Sequence, residues 1–305
     1  MSANLEAKKQ VVSDMHPYYM STDYAVSRAE KENIPLLQLQ HHYAHMASCM
    51  ADNGLTEKCI GIIWDGTGYG EDGTIWGGEF LCGDLDGFER RGRIRPIRLP
   101  GGDKAVKEIW RCAVSVLEDA GIDSRDFYPD RDTDAVRKML KADINCPESS
   151  GMGRLFDAVA SICDIKHEVS YEGQGAVLLE AAAGESDGIY SYDIINDKIY
   201  EFDIRTMMHC IIKNTIEGRD RGLIAADFMN TLCSMAADIC ERIREDEGFD
   251  KIVLSGGSFQ NMYILEKLSH LLKSRGFEVY RHRRVSTNDE GISFGQAAVA
   301  AWRGR

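Results

Sequence analysis

The last fifth of the chain constrains the fold most strongly. The string "KIVLSGG" is a short apolar run that ends in glycines, and "QNMYILEKLSHLLKSRG" has the spacing of an amphipathic helix that ends at Gly276. "FEVYRHRR" predicts a second strand, and another helix is expected at about 289–302. The order strand, turn, helix, strand, helix is typical of α/β proteins, in which ligands bind at the turns that follow strands.

A glycine-rich hairpin is predicted earlier in the chain. An apolar run over 59–64 leads into Asp65 and the turn "GTGYGEDG", and a second strand follows over 74–83. Glycines lack a Cβ atom, so their N–H groups can converge on an anion, and Thr67 adds a hydroxyl donor. The chain contains no GxxxxGK motif followed by Ser or Thr. A structural tight turn and an anion-binding turn both remain open.

Two other segments combine hydroxyls and glycines with a following helix. They are "LSGGSFQN" (254–261) and "SSGMGRLFDAVAS" (149–161). The free N–H groups at a helix N-terminus attract phosphate, although a capped β–α turn is an equally common reason for such a string. Arg154 and Asp157, three residues apart, form either a surface ion pair or part of a cleft. Several such turns in one chain would fit a nucleotide held between lobes.

The remaining pattern is helical with one further hairpin. The hairpin is expected at 188–204, with "ND" at 196–197 as its turn. Helices are predicted at 22–33, 42–54, 103–119, 131–142, 153–163, 205–217 and 223–246.

The string "LQHHYAHMASCM" places three histidines within five positions. His41 and His45 are four apart, so on a helix both imidazoles share one face. Surface or hydrogen-bonded imidazoles are the commoner outcome, and two imidazoles make a metal site only with further ligands. Asp65 ends a predicted strand, and Asn288 and Asp289 lie where the last loop meets the last helix. Two histidines with two aspartates would suit Zn²⁺ or Fe²⁺ better than Mg²⁺.

Composition narrows the class of protein. The 305 residues carry a formal net charge of −13, which disfavours a nucleic-acid partner because phosphate contacts dominate that affinity. The nine cysteines include no CxxC pair, so reduced thiols in a cytoplasmic protein are expected. The chain lacks the roughly 18–20 consecutive apolar residues of a membrane span, and its start lacks the apolar core of a secretion signal.

Taken together, these segments resemble the carbamoyltransferase domain of the HypF family, the maturation factors of nickel–iron hydrogenase. The resemblance covers 14–300, and its specificity comes from the combination and order of the motifs. The matching strings are "DMHPYYMST", "QHHYAHMASCMA", "WDGTGYGEDGTIWGGEF", "RLPGGDKAVKE", "GMGRLFDAVAS", "YEGQGA", "LSGGSFQN" and "RRVSTNDEGISFGQAAVA". It implies an α/β fold of the actin, Hsp70 and sugar-kinase (ASKHA) type, with two lobes around a nucleotide cleft and an incomplete N-terminal lobe.

The resemblance also implies roles for individual residues. It gives catalytic roles to Asp65 and Arg154. The implied metal ligands are His41, His45, Asp65 and Asp289, with the order of Asn288 and Asp289 leaving open which one reaches the ion. The implied nucleotide-binding residues are Gly66, Thr67, Gly68, Gly153, Asp157, Glu172, Gly256, Gly257 and Asn261.

HypF proteins form carbamoyl-adenylate from carbamoyl phosphate and ATP. They transfer the carbamoyl group to the C-terminal cysteine thiolate of HypE and release AMP, so the resemblance implies ATP or AMP as cofactor and a HypE-like partner. A small-molecule O-carbamoyltransferase and a nucleotide-binding subunit that is inactive without a partner lobe are the alternatives. A tRNA-modifying role is disfavoured by the charge and by "QHHYAH".

Full HypF proteins also carry acylphosphatase-like, zinc-finger and YrdC-like domains before this region. The chain is therefore expected to be a fragment, or one half of a split protein that works with a separate N-terminal chain. Residues 1–60 are expected to be a remnant of the N-terminal lobe, and 61–305 the nucleotide-binding lobe.

Overall fold

The computed structural model describes residues 10–304, which form an α/β fold. The strands are β1 Val11–Asp14, β2 Leu36–Leu39, β3 Cys59–Tyr69, β4 Ile75–Gly83, β5 Phe88–Ile94, β6 Ile97–Arg98, β7 Glu148–Ser149, β8 Asp193–Asn196, β9 Tyr200–Asp203, β10 Lys251–Ser255 and β11 Glu278–Arg281. The helices are α1 Met20–Glu32, α2 His41–Asp52, α3 Asp103–Lys107, α4 Trp110–Asp119, α5 Thr133–Ala142, α6 Met152–Ile162, α7 Gln174–Ala182, α8 Ile204–Ile216, α9 Arg221–Glu247, α10 Met262–Ser274 and α11 Ile292–Arg303.

One mixed sheet organises the molecule. Its strands follow the order β11, β10, β3, β4, β5, β9, β8, with β6 and β7 attached beside β4. β10 pairs in parallel with both β11 and β3, whereas β3, β4 and β5 are antiparallel. Because β3 and β10 are parallel and Ser255 pairs with Ile63, Asp65 of β3 lies beside the glycines that follow β10. This pairing brings together two turns that are almost 200 residues apart in the chain.

Each face of β3 contributes to a different hydrophobic core. Ile60, Ile62 and Trp64 pack into the larger core, which includes residues of α4, α6 and α9. Ile63 packs on the opposite face against residues of α2, as the alternation of side chains along a strand requires. Nearly every residue of α2 is buried, so its histidines lie inside the fold. The predicted boundary at residue 60 stays a prediction, and residues 1–9 of that segment lie outside the described residues.

The predicted hairpins and most of the predicted helices are confirmed, but the helix expected over 103–119 is wrong. It is split into α3 and α4 because tertiary hydrogen bonds capture the backbone between them. The N–H group of Val169 donates to the carbonyl of Lys107 at 2.8 Å, and the N–H group of Trp110 donates to the carbonyl of His167 at 3.2 Å. Helix α7, strand β1 and the parallel pairing of β1 with β2 were not predicted.

Helix α9 is long and apolar enough, by length and composition, to cross a membrane. In this fold 83% of its most apolar window is buried. It therefore serves as a central helix of the larger core.

Candidate metal centre and nucleotide cleft

Helix α2 presents two imidazoles on one buried face. The helix begins after Gln40, whose side-chain oxygen accepts a hydrogen bond from the N–H group of Tyr43 at 2.9 Å. His41 and His45 follow one turn apart, and their side chains are only 3% and 1% exposed. The Nε2 atoms of both rings have no hydrogen-bond partner among residues 10–304. Buried polar atoms without a partner are rare, and imidazole nitrogens in that state are suited to bind a metal ion.

Two carboxylates complete a four-residue cluster with these nitrogens. Asp65 Oδ2 lies 3.4 Å from His41 Nε2 and 3.3 Å from His45 Nε2. Asp289 Oδ1 lies 3.6 Å and 3.4 Å from the same two atoms. Zinc–ligand bonds of about 2.0–2.1 Å at tetrahedral angles place neighbouring ligand atoms roughly 3.3–3.4 Å apart. The four His–Asp distances therefore match those of a tetrahedral ion such as Zn²⁺, and the donor set also suits Fe²⁺.

The structure shows which of the two neighbouring residues faces the cluster. Asn288 Oδ1 accepts hydrogen bonds from Ser286 Oγ at 2.7 Å and from the N–H group of Glu290 at 3.1 Å. Asn288 thus caps the short 3₁₀ turn over 289–291. The side chain of Asp289 reaches the histidines instead.

The carboxylates and imidazoles of the cluster shift one another's pKa values toward the charged forms. Burial alone would lower the pKa of His41, but Asp14, Asp289 and Asp65 outweigh it and raise that pKa well above its usual value. The pKa of His45 is also raised, since Asp289 and Asp65 outweigh its burial. Burial would raise the pKa of Asp65, yet the two histidines hold it well below the usual range. The carboxylates therefore favour positive charge between them, which a metal cation would provide.

Sequence reasoning missed Asp14, which supports the cluster from behind. Its Oδ2 lies 2.8 Å from His41 Nδ1, on the ring atom opposite the proposed ligand nitrogen. Its Oδ1 accepts a hydrogen bond from the N–H group of His16 at 2.8 Å. A carboxylate in this position fixes the ring orientation and leaves Nε2 free for a metal. The available signal was the position of Asp14 at the start of the "DMHPYYMST" string.

A cavity of about 520 Å³ opens directly beside the cluster. Its floor is formed by residues 65–67 and by the turn that follows β10, and residues of α6 and α7 form its sides. Among the predicted site residues, those on its wall are Asp65, Gly66, Thr67, Gly153, Arg154, Glu172, Gly257, Asn261 and Asp289.

Three predicted nucleotide-binding residues lie behind this wall instead: Gly68, Gly256 and Asp157. A Cβ atom on Gly68 would lie 2.4 Å from His42 Cε1, so the glycine allows the hairpin to approach α2. Gly256 has φ +102° and packs against the backbone of Trp64, so it allows a sharp turn after β10. Neither glycine lines the cavity, and their nucleotide-binding roles stay predictions.

Arg154 and Asp157 form a buried ion pair, not the surface pair of the first alternative, and Arg154 also lines the cavity, as the second alternative expects. Arg154 Nη1 lies 2.9 Å from Asp157 Oδ2, and both side chains are almost fully buried. Arg154 Nη2 lies 3.2 Å from Glu172 Oε1, which is on the cavity wall. Burial raises the pKa of Asp157 to about 6, with Arg154 opposing that rise and Glu172 adding to it. Arg154 therefore carries a positive charge to the base of the cavity.

The unpredicted helix α7 supplies a further part of the wall. Gly173, Ala176, Val177 and Glu180 face the cavity and have the spacing i, i+3, i+4, i+7 of a single helix face. Tyr171 precedes them and is 55% exposed. The helical spacing was the available signal, but the glycines of "YEGQGA" concealed it.

Comparisons with known proteins give the family. Residues 61–296 match the family described as carbamoyltransferase, Kae1-like domain, second subdomain, and residues 2–52 match the HypF Kae1-like domain. The chain belongs to the HypF carbamoyltransferase family. The predicted ASKHA-type fold of HypF is therefore confirmed.

Three HypF proteins that resemble this chain are much longer than it is. Carbamoyltransferase HypF of Synechocystis sp. is 34% identical over 94% of this chain, which spans 39% of the relative. Carbamoyltransferase HypF of Rhodobacter capsulatus is 35% identical over 95% of the chain and again 39% of the relative. A crystal structure of full-length HypF in a phosphate- and nucleotide-bound form matches with a TM-score of 0.89 and 41% identity, covering 95% of this chain and 46% of that one.

Proposed function

We propose that this chain transfers a carbamoyl group from carbamoyl-adenylate to the C-terminal cysteine thiolate of a HypE-like protein and releases AMP. The observation that carries the proposal is that Asp65 and Asp289 belong to two features at once. Both carboxylates belong to the histidine cluster, and both also line the cavity. An ion at the cluster would therefore lie at the edge of the space in which an adenylate fits.

The chemistry needs no nucleophile from this chain. The acceptor's sulfur forms a bond to the carbamoyl carbon, and the bond from that carbon to the phosphate oxygen breaks. The departing AMP takes the electron pair as phosphate charge. The work of the protein is to hold the mixed anhydride in line and to stabilise that charge.

The described residues suit these tasks. The glycine turns at Gly66 and Gly257 place backbone close to the cavity, and Arg154 brings a buried positive charge to its base. Tyr171 and Val177 provide apolar surface on which an adenine ring can pack. His41, His45, Asp65 and Asp289 would hold Zn²⁺ or Fe²⁺, which supplies Lewis-acid stabilisation of negative charge when bound.

The test is AMP release from pre-formed carbamoyl-adenylate, measured with a HypE-like C-terminal peptide. We expect release to depend on the terminal cysteine, with the carbamoyl group found on the peptide by mass spectrometry. A peptide with that cysteine changed to serine is the matched control. Equal AMP release with both peptides and no modified thiol would contradict the proposal.

Other parts of the interpretation depend on the same assay. If the chain is active only after a separate N-terminal HypF-like chain is added, the split-protein prediction is supported. Carbamoylation of a small alcohol but no thiol would favour an O-carbamoyltransferase. A cytoplasmic location and the lack of a nucleic-acid or membrane partner stay predictions.

A further inference from the structure

The loop that carries Asp289 is held in place by the metal-binding helix itself. We call residues 282–289 the ligand loop. Asp52, the last residue of α2, accepts hydrogen bonds through Oδ2 from three consecutive loop N–H groups: Arg283 at 2.6 Å, Arg284 at 3.0 Å and Val285 at 3.4 Å. We infer that Asp52 is a positioning residue of the metal centre, which holds the ligand loop so that Asp289 reaches the histidines. This inference rests on the proposed metal site.

The buried position of the Asp52 carboxylate is unfavourable without the hydrogen bonds from the loop. A carboxylate at the C-terminal end of a helix meets the negative end of the helix dipole, and its burial adds a desolvation cost. The side chain of Asp52 is only 2% exposed. Burial would raise its pKa, but the three N–H groups of the loop hold that pKa below the usual value. The carboxylate is therefore stable in this place because the loop surrounds it.

Asp289 depends on this support. Its side chain is 71% exposed, and its ion pairs among residues 10–304 are those with His41 and His45. Because most of this side chain is exposed, its position depends mainly on the backbone of the ligand loop. Asp52 lies seven residues after His45 on the same helix. Helix α2 therefore carries two proposed ligands and also holds the loop that carries Asp289.

The ligand loop is also fixed at the turn that lines the cavity. Ser255 Oγ lies 2.8 Å from His282 Nε2 at the start of the loop. Near its end, the N–H group of Gly256 donates to the carbonyl of Thr287 at 3.0 Å, and Thr287 Oγ1 donates to the carbonyl of Gly256 at 3.2 Å. With these contacts at both ends, Asp52 holds the middle of the loop, and removing it leaves the ligand end less constrained.

The experiment measures Zn²⁺ affinity of the full chain by competition with a chromogenic chelator. We expect Asp52→Asn to bind Zn²⁺ about 10-fold or more weakly, which is the usual cost of losing support behind a ligand. Asp220→Asn is the matched control, because Asp220 also accepts two backbone N–H groups, at the distant start of α9. We expect it to affect stability without changing Zn²⁺ affinity.

A double-variant comparison separates positioning from general stability. Because Asp52 acts through Asp289, Asp52→Asn should weaken Zn²⁺ binding little or not at all in an Asp289→Ala background. Full additivity of the two losses would overturn the inference, as would wild-type affinity in Asp52→Asn. If Asp52→Asn does not fold, Asp52→Glu, which moves the carboxylate by one methylene, carries the same comparison. Absence of Zn²⁺ binding by the wild-type chain would refute the metal centre and this role together.

Discussion

Asp14 Oδ2 and His41 Nδ1 lie 2.8 Å apart, on the side of the imidazole that faces away from Asp65 and Asp289. The two residues come from different elements, because Asp14 ends β1 and His41 begins α2. Their contact means that one ring nitrogen is already engaged and the other is left for the cluster. The proposed metal centre would thus depend on the contact between β1 and α2 as well as on its four proposed ligands.

Asp14→Asn is expected to weaken Zn²⁺ binding by about 10- to 100-fold, because an amide can place its NH₂ group against Nδ1 and favour the wrong tautomer. Equilibrium titration with a competing chelator measures the change. Asp84→Asn is a matched control, since Asp84 also accepts the N–H group two residues ahead, that of Asp86 at 2.8 Å. Equal affinities in both variants would show that Asp14 does not support the site.

Gly68→Ala is expected to lower the free energy of unfolding by about 1–3 kcal/mol through overpacking. The new methyl group would meet His42 Cε1 at 2.4 Å and His41 Cδ2 at 3.0 Å, so it should also disturb the metal site. Denaturant unfolding and Zn²⁺ titration report the two effects. Gly87→Ala is the control, because a Cβ atom there meets no heavy atom within 4 Å. A Gly68 variant as stable as the control would exclude this close approach.

The raised pKa of Asp157 predicts that the free energy of unfolding depends on pH. Its pKa in the folded protein, about 6, lies above the usual 3.8, so its contribution is fully present below about pH 4 and is lost as the pH rises through 6. The difference between the two pKa values corresponds to about 3 kcal/mol of unfolding free energy. Asp157→Asn is the reference, because its amide does not titrate. Urea unfolding of both proteins at several pH values measures the difference. A difference that does not change between pH 4 and 7 would contradict the raised pKa.

Arg154→Met is expected to weaken AMP binding by roughly 10- to 100-fold, since charge-assisted hydrogen bonds contribute about 1.5–3 kcal/mol. Arg28→Met is the control, because Arg28 forms an exposed pair with Glu32 on α1. Calorimetric titration with AMP measures both affinities. If the two variants bind AMP equally well, Arg154 does not contact the nucleotide.

The sequence carried enough local information to predict the glycine hairpin, α2 and the β10–α10–β11 unit. Each is marked by a periodic apolar pattern with glycines at its ends. The four members of the cluster were also predicted, through His41 and His45 on one helix face and through the resemblance to the HypF family. The structure brings all four together, whereas their role as ligands remains a prediction.

What could not be predicted depends on contacts between distant segments. The break after Lys107 arises from hydrogen bonds to 167–169, and no local pattern reports these. The roles of Asp14 and Asp52 require knowledge of which loop lies beside α2. Likewise, the glycine motif could not show that Gly68 lies against His42, with no room for a Cβ atom between them. A glycine in the sequence shows that a Cβ atom is absent, but it does not show which residue packs against that position.

The most direct test of the account is metal analysis of the wild-type chain beside His45→Ala, after incubation with Zn²⁺ and removal of loosely bound ions. The account predicts about one ion per wild-type chain and almost none in the variant, because losing one of four ligands opens a tetrahedral site. Equal metal content in the two proteins would contradict it.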